Sequence, residues 1–440
     1  MVHHSNATVT RKDVGEKLPD TTVSGNTELT KPENRAFYPA FDGLRALAFL
    51  AVFFWHYEMM PWGWAGVDVF FVLSGFLITG ILFDTRNEPH KVKNFFIRRT
   101  LRIFPLYYGI FVVLLISEPF VHWQWGLRWA AWALYLGNIV PHFHPYAFGG
   151  QRAFAEFALL PGGRQWGALH FGHFWTLCVE EQFYVVWPWI VFWVRDRRKL
   201  LWICVASLPI CLALRIAAPH VLPAWLIQEE VVAHVTIFRV DDLLWGGCLA
   251  LMLRGPAGKT LLRWAMLLTP VAFALLAVWF ALTPGHHFFA TPYPYPATYL
   301  TFGLTTISLL SGLVILVALQ PGNWLSRTLT LPPLRWIGRL SYGAYVFHDI
   351  FHEYVQAVVR HFTHYALKHN VNVGVKMVAH QSALVSGLAL PLTFVLAWLS
   401  FHFFETPFLN LKNRWTVAHT PTVSALPGSQ LSDSGREQAA

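Results

Sequence analysis

The chain has 440 residues, of which 55% are hydrophobic, 16% aromatic and only 13% charged, with a formal net charge of +9. Soluble domains carry about 25% charged residues, so this composition excludes an ordinary water-soluble fold and reads as a polytopic membrane protein. The basic residues lie in short segments between apolar runs, where they report topology and not a nucleic-acid surface, so no nucleic-acid partner is expected.

Residues 1–37 are polar and lack the apolar core of a signal peptide, which predicts a disordered cytoplasmic tail. Apolar stretches follow at 41–59, 66–83, 100–118, 173–194, 200–218, 231–253, 261–282, 298–319, 336–356 and 378–404, each near the ~20 residues that cross a bilayer. They predict an all-α membrane domain over 38–408 with about ten transmembrane helices, followed by a flexible cytoplasmic tail over 409–440. The stretch 127–140 is apolar too, but as a helix it reaches only about 21 Å, short of a ~30 Å hydrocarbon core. It predicts one short re-entrant or surface helix. With that stretch left out of the count, the basic segments Arg86 to Arg102, Arg195 to Lys199, Arg254 to Arg263, Arg327 to Arg339 and Lys412 to Arg414 fall on one side. The positive-inside tendency then puts both termini in the cytoplasm. Cys178, Cys204, Cys211 and Cys248 fall in or beside apolar runs without CxxC pairing and read as packing residues.

The informative residues are the polar ones inside the apolar spans, because an ionisable group at mid-membrane costs about 2.5–3.5 kcal/mol on insertion scales and marks a functional site by default. Arg45 and His56 share the first span, and their separation of eleven residues returns both to one helix face with about 16 Å of rise between them. An imidazole suits proton removal from a hydroxyl near neutral pH, although a lone helical histidine is also a common packing residue. Asp68 or Glu180, expected at the same depth, are the candidate carboxylates to orient it. Arg98, Arg99 and Arg102 at the start of the third span read equally as topology signals and as a phosphate site. Cations at a helix N-terminus oppose the macrodipole unless an anion intervenes. Glu180 shares a face with His173 and Tyr184, and it reads equally as catalytic or as a structural partner for Arg239. Arg239 and Asp242, three apart, read as a local structural pair; His348 and Asp349 stay open. His286 and His287 have no carboxylate or cysteine at metal-site spacing, so no metal is inferred.

Taken together, these stretches resemble the membrane-bound acyltransferase family 3, bacterial O-acyltransferases acting on sugars, lipids and secondary metabolites. The likeness rests on Arg45 and His56 with ten residues between them in the first span and on Arg99-Thr100-Leu101-Arg102. It extends through Gly66 to Phe76, Trp175 to Pro188 and Ile337 to Tyr345, and closes with Phe404-Glu405-Thr406-Pro407-Phe408. The match resembles the stand-alone form without a fused esterase-like domain. The resemblance implies a multi-pass protein of the bacterial inner membrane that transfers an acyl group, acetyl being the expected one, from cytoplasmic acyl-CoA. The acceptor would be a hydroxyl of a glycan, lipid-linked sugar or glycoside. Arg99 and Arg102 would bind the donor's phosphates, the pantetheine arm would rise past Arg45, and His56 would act as base or transient acyl carrier, with Asp68 or Glu180 beside it. The alternative class is a transporter or flippase using the same polar residues as a path, but no paired halves with matching broken helices are seen.

Overall fold

The computed structural model describes residues 36–121, 127–140, 169–228, 231–282, 299–416 and 430–431. Most of the expected N-terminal tail, and His286 and His287, lie outside the described residues. Apart from a two-residue strand pairing of Ala36–Phe37 with Gln430–Leu431, the described regular structure is helical. That is the form long apolar segments take in lipid, where every backbone N–H must bond within its own segment.

The chain opens with α1 (Pro39–His56), started by a proline whose missing N–H would be unpaired there in any case. There follow α2 (Ala65–Asp84), α3 (Lys91–Val121), the short α4 (Leu127–Ala133), α5 (Trp175–Val194), α6 (Arg197–Val221), α7 (Val240–Leu253) and α8 (Gly258–Leu282). The second half comprises α9 (Leu304–Ala318), α10 (Pro332–Phe347), α11 (His352–His369), α12 (Val371–Ala379), α13 (Gln381–Leu399) and α14 (Thr406–Trp415).

Six helices among the described residues are long and apolar enough to cross a membrane: Ala65–Asp84, Lys91–Pro119, Arg197–Val221, Gly258–Val278, Leu300–Ala318 and Gln381–Lys412. Their outward faces are apolar, as at Val113 and Ile116 on α3 and Leu267 and Leu275 on α8, a surface that suits lipid rather than water. The other four stretches expected to span are helical too, but α1 and α5 carry several polar side chains, α7 has 14 residues and α10 has 16. The stretch 336–356 departs most from expectation. Its helix ends at Phe347, a turn runs through His348 to Phe351, and α11 starts anew at His352. The apolar run at 127–140 is helical over only seven residues before turning. The expected tail boundary at 408 falls inside α14, where Thr416 at the helix end accepts a hydrogen bond from Arg98 at 3.3 Å.

Two close crossings hold the site's walls. At Gly246 of α7 an added Cβ would fall 1.9 Å from the Val72 carbonyl oxygen of α2, and at Gly338 of α10 it would fall 1.8 Å from that of Asp42 in α1. Only a glycine lets the backbones touch there. The core around these crossings is aromatic, with Phe49, Phe53, Phe71, Phe174 and Trp187 buried in one cluster.

Candidate active site

His56 is the last residue of α1, and the reason the helix ends there is local. Glu58 adopts a left-handed backbone with φ 56°, Met59 N–H donates to Phe54 O at 2.8 Å and Glu58 N–H to Trp55 O at 3.0 Å. This pair of bonds closes a helix C-terminus. His56 therefore stands half-buried on the final turn, with its Nδ1 3.0 Å from Val52 O and 3.3 Å from Nε2 of His348.

His348 is brought there because α10 packs along α1 and stops one residue short of it. The Tyr57 hydroxyl fixes the turn by donating to His348 O at 2.7 Å. His173, in the short 3-10 turn Gly172–Phe174 ahead of α5, completes the group: its ring centroid lies 4.7 Å from that of His348 and 6.5 Å from that of His56. The carboxylate of this cluster is Asp349, 3.7 Å from His173 Nδ1 and 3.2 Å from His352 Nδ1.

Neither carboxylate expected beside His56 is there. Asp68 accepts from Arg239 at 2.8 Å, and Arg239 also holds Asp242 at 3.0 Å. Next to them Arg215 grips Asp241 through both carboxylate oxygens, at 3.0 and 2.7 Å, and donates to Thr305 at 2.6 Å. The charged members of this group are buried, so they form an internal network tying α2, α6 and α7 together. Glu180's expected partner Arg239 is thus taken by Asp68 and Asp242.

Glu180 instead lines a cavity of about 150 Å³ together with Glu181, Arg45, Arg99 and Arg102. Arg45 is held by Asp42 at 2.9 Å, and the Arg99 guanidinium stacks 5.5 Å from the Tyr184 ring centroid. The Tyr184 hydroxyl meets Ser74 at 2.5 Å. With Asp42 counted beside Glu180 and Glu181, three guanidiniums meet three carboxylates at this end, and the excess of cations lies in the neighbouring cavity. At the other end the cavity meets Thr176 and Tyr345, and the Tyr345 ring lies 5.5 Å from His173 and 5.2 Å from His348. Arg45 and His56 therefore mark opposite ends of one line through the protein, with His56 just beyond the cavity lining.

A second cavity of about 110 Å³ shares Arg99 and Arg102 with the first and adds Lys91, Arg98 and Lys412. The two arginines are the wall between them. Their place on the helix differs from expectation. Helix α3 begins at Lys91, so Arg98, Arg99 and Arg102 lie in its second to fourth turns, where the dipole no longer favours a phosphate. The convergence of cations on two cavities takes its place.

Compared with known proteins, residues 38–402 match the family model Acyl_transf_3, described as an acyltransferase domain. The chain belongs to this acyltransferase family. It is similar to the peptidoglycan O-acetyltransferase OatA of Listeria monocytogenes, at 31% identity over 387 residues, 85% of this chain and 56% of that protein. A Bacillus subtilis protein provisionally named peptidoglycan O-acetyltransferase YrhL is 27% identical over 336 residues, 72% of this chain and 49% of its own. A Staphylococcus aureus protein provisionally named an O-acetyltransferase is 26% identical over 402 residues, 86% of this chain and 58% of its own. The chain spans about half the length of the curated relatives it matches. No solved structure matches it at a significant level.

Within the acyltransferase the residues that sequence reasoning left open are the ones nearest His56. His348 and Asp349 sit in the turn that breaks the ninth apolar stretch, and His173 sits before the helix it was expected to join. The signal in the sequence was the pair of adjacent ionisable groups, His348 and Asp349, in the middle of an apolar run.

Proposed function

We propose that this acyltransferase moves an acetyl group from acetyl-CoA to a hydroxyl of a cell-envelope glycan, with His56 as the general base. One observation carries the reading: a single cavity has Arg45, Arg99 and Arg102 at one end and, at the other, Tyr345 against the histidines that hold His56. A thioester donor with a phosphorylated tail and an extended arm has this polarity. Its phosphates fit the arginine wall and the second cavity with Lys91 and Lys412, since charge-assisted bonds from guanidinium to phosphate are among the stronger polar contacts available. The ~16 Å between Arg45 and His56 is comparable to the reach of the pantetheine arm.

The basic cavities face the cytoplasm in this proposal, in a multi-pass membrane protein with both termini on that side, and the histidine end faces outward. Base catalysis there removes the acceptor's hydroxyl proton as its oxygen attacks the thioester carbon. The glycan acceptor is supported by the relatives named as peptidoglycan O-acetyltransferases. Glu180, among the arginines, lies at the donor end.

The test is binding and slow hydrolysis of acetyl-CoA by the full chain in nanodiscs, beside His56→Ala. Wild type should bind the donor and release free CoA, and the variant should bind without release. No binding by wild type would sink the acetyl-CoA reading. Acetyl transfer to glycan fragments carrying free hydroxyls then tests the acceptor.

A further inference from the structure

The histidine cluster has a hydrogen-bond pattern that settles where its protons can sit. A carbonyl oxygen only accepts, so any ring nitrogen bonded to one must carry hydrogen. His348 Nδ1 lies 2.6 Å from Tyr345 O and is therefore protonated, which leaves its Nε2 in the neutral ring as a lone pair. That lone pair is 3.3 Å from His56 Nδ1, which is itself protonated because it lies 3.0 Å from Val52 O. Neutral His56 thus has its free lone pair on Nε2, while Nδ1–H is shared between Val52 and His348. His348 is only 1% exposed and cannot meet a substrate directly.

From this we infer that His348 is a positioning residue which, together with the Val52 carbonyl, holds His56 in the tautomer that presents Nε2 as the base. The inference rests on the reading of His56 as general base. His173 Nε2 lies 3.1 Å from Val346 O and so carries hydrogen, yet its Nδ1 makes no hydrogen bond among the described residues and faces Asp349 Oδ2 at 3.7 Å. The other Asp349 oxygen accepts from His352 at 3.2 Å.

The reaction is balanced by His56 alone. As the acceptor oxygen bonds to the acyl carbon, its proton passes to Nε2; as the carbon–sulfur bond breaks, the same proton goes to the departing thiolate sulfur. In the interval His56 is an imidazolium whose Nδ1–H still has the His348 lone pair to accept it. This is the arrangement of nucleophile, base and orienting group seen across acyl-transfer chemistry, with an imidazole in the orienting place.

Two variants and one spectrum test it on the full chain in nanodiscs. His348→Phe keeps a ring but removes the acceptor, and is expected to lower kcat for acetyl-CoA turnover on the order of 10²-fold, the lower range of general-base contributions, with donor KM within about twofold. His348→Gln restores an acceptor in the amide oxygen and should recover to within about tenfold of wild type. Nitrogen-15 spectra of histidine-labelled protein, with His56→Gln identifying the His56 signals, should show hydrogen on Nδ1 in wild type. Wild-type kcat in a folded His348→Phe, or hydrogen on Nε2 of His56 in wild type, would overturn the inference. Should wild type turn over no acetyl-CoA, or His56→Gln keep its rate, the base reading falls, and the same spectrum taken on His348→Phe still decides whether His348 sets the tautomer: an unchanged Nδ1 hydrogen there would overturn it.

Discussion

Tyr345 and Thr176 meet hydroxyl to hydroxyl at 2.7 Å and close the histidine end of the arginine-lined cavity. The Tyr345 hydroxyl also donates to His173 O at 3.1 Å. His56 lies beyond this pair, so the donor's acyl end must pass it to reach the base, while its phosphates stay with the arginines. Tyr345→Phe keeps the ring packed on His173 and His348 but removes the hydroxyl's bonds to Thr176 and His173 O; Thr176 keeps its own donation to His173 O at 3.0 Å, so the cost is about 1 kcal/mol of stability. A lower melting transition with unchanged acetyl-CoA affinity by titration calorimetry is the expected result. Weakened binding would mean that this pair, and not the arginines alone, grips the donor.

Arg102 borders both cavities, and its proposed ligand is a part of the donor remote from the reacting carbon. Interactions made equally in the ground and transition states change KM and leave kcat alone. Arg102→Glu is expected to raise KM for acetyl-CoA by tenfold or more, about 1.4 kcal/mol, with turnover at saturation within about twofold of wild type. Steady-state kinetics on purified protein decides it, and a loss confined to kcat would place Arg102 in the chemistry.

Asp68 and Arg239 at 2.8 Å offer the opposite case. Removing one member of a buried pair typically costs about 3–5 kcal/mol when it strands the other; here Arg239 keeps Asp242 at 3.0 Å, so the cost falls below that range. Asp68→Ala should therefore lower the melting transition of the protein measurably without abolishing its folding. The conservative Asp68→Asn retains an acceptor for Arg239 and should recover much of the stability and, with it, activity. If Asp68→Asn melts like wild type yet is inactive, the carboxylate has a chemical role that the ion pair does not explain.

The order of the helices was legible because lipid imposes one requirement, a run of apolar residues long enough to cross, and six of the expected spans meet it among the described residues. The pair Arg45 and His56 was legible from helix periodicity alone, since both stand on one helix. What could not be read was partnership between helices. Asp68, Glu180 and Asp349 are equivalent in sequence as carboxylates in apolar surroundings. Only the packing of α1 on α10 and of α2 on α7 assigns Asp349 to the histidines, Asp68 to Arg239 and Glu180 to the arginine cavity. The break at His348 escaped notice because hydropathy averages over a window and four residues of turn hardly change the mean.

The crossing of α1 and α10 then makes a prediction that joins fold to chemistry. Gly338 lies in the first half of α10, and a Cβ there would fall 1.8 Å from the Asp42 carbonyl oxygen, backbone that cannot rotate away. Gly338→Ala must push the two helices apart, and overpacking of this kind costs about 1–3 kcal/mol. Because α1 carries His56 and α10 delivers His348, the same displacement acts on the 3.3 Å contact between their rings. The expected outcome is a variant that still folds and binds acetyl-CoA but turns it over more slowly by a larger factor than its loss of stability accounts for at the assay temperature. A second substitution on α10, Ser341→Ala, shortens a side chain in the cavity wall without forcing the helices apart, and should leave kcat near wild type. Equal activity in both variants would show that the site tolerates movement between these helices, and that His56 does not depend on where α10 places His348.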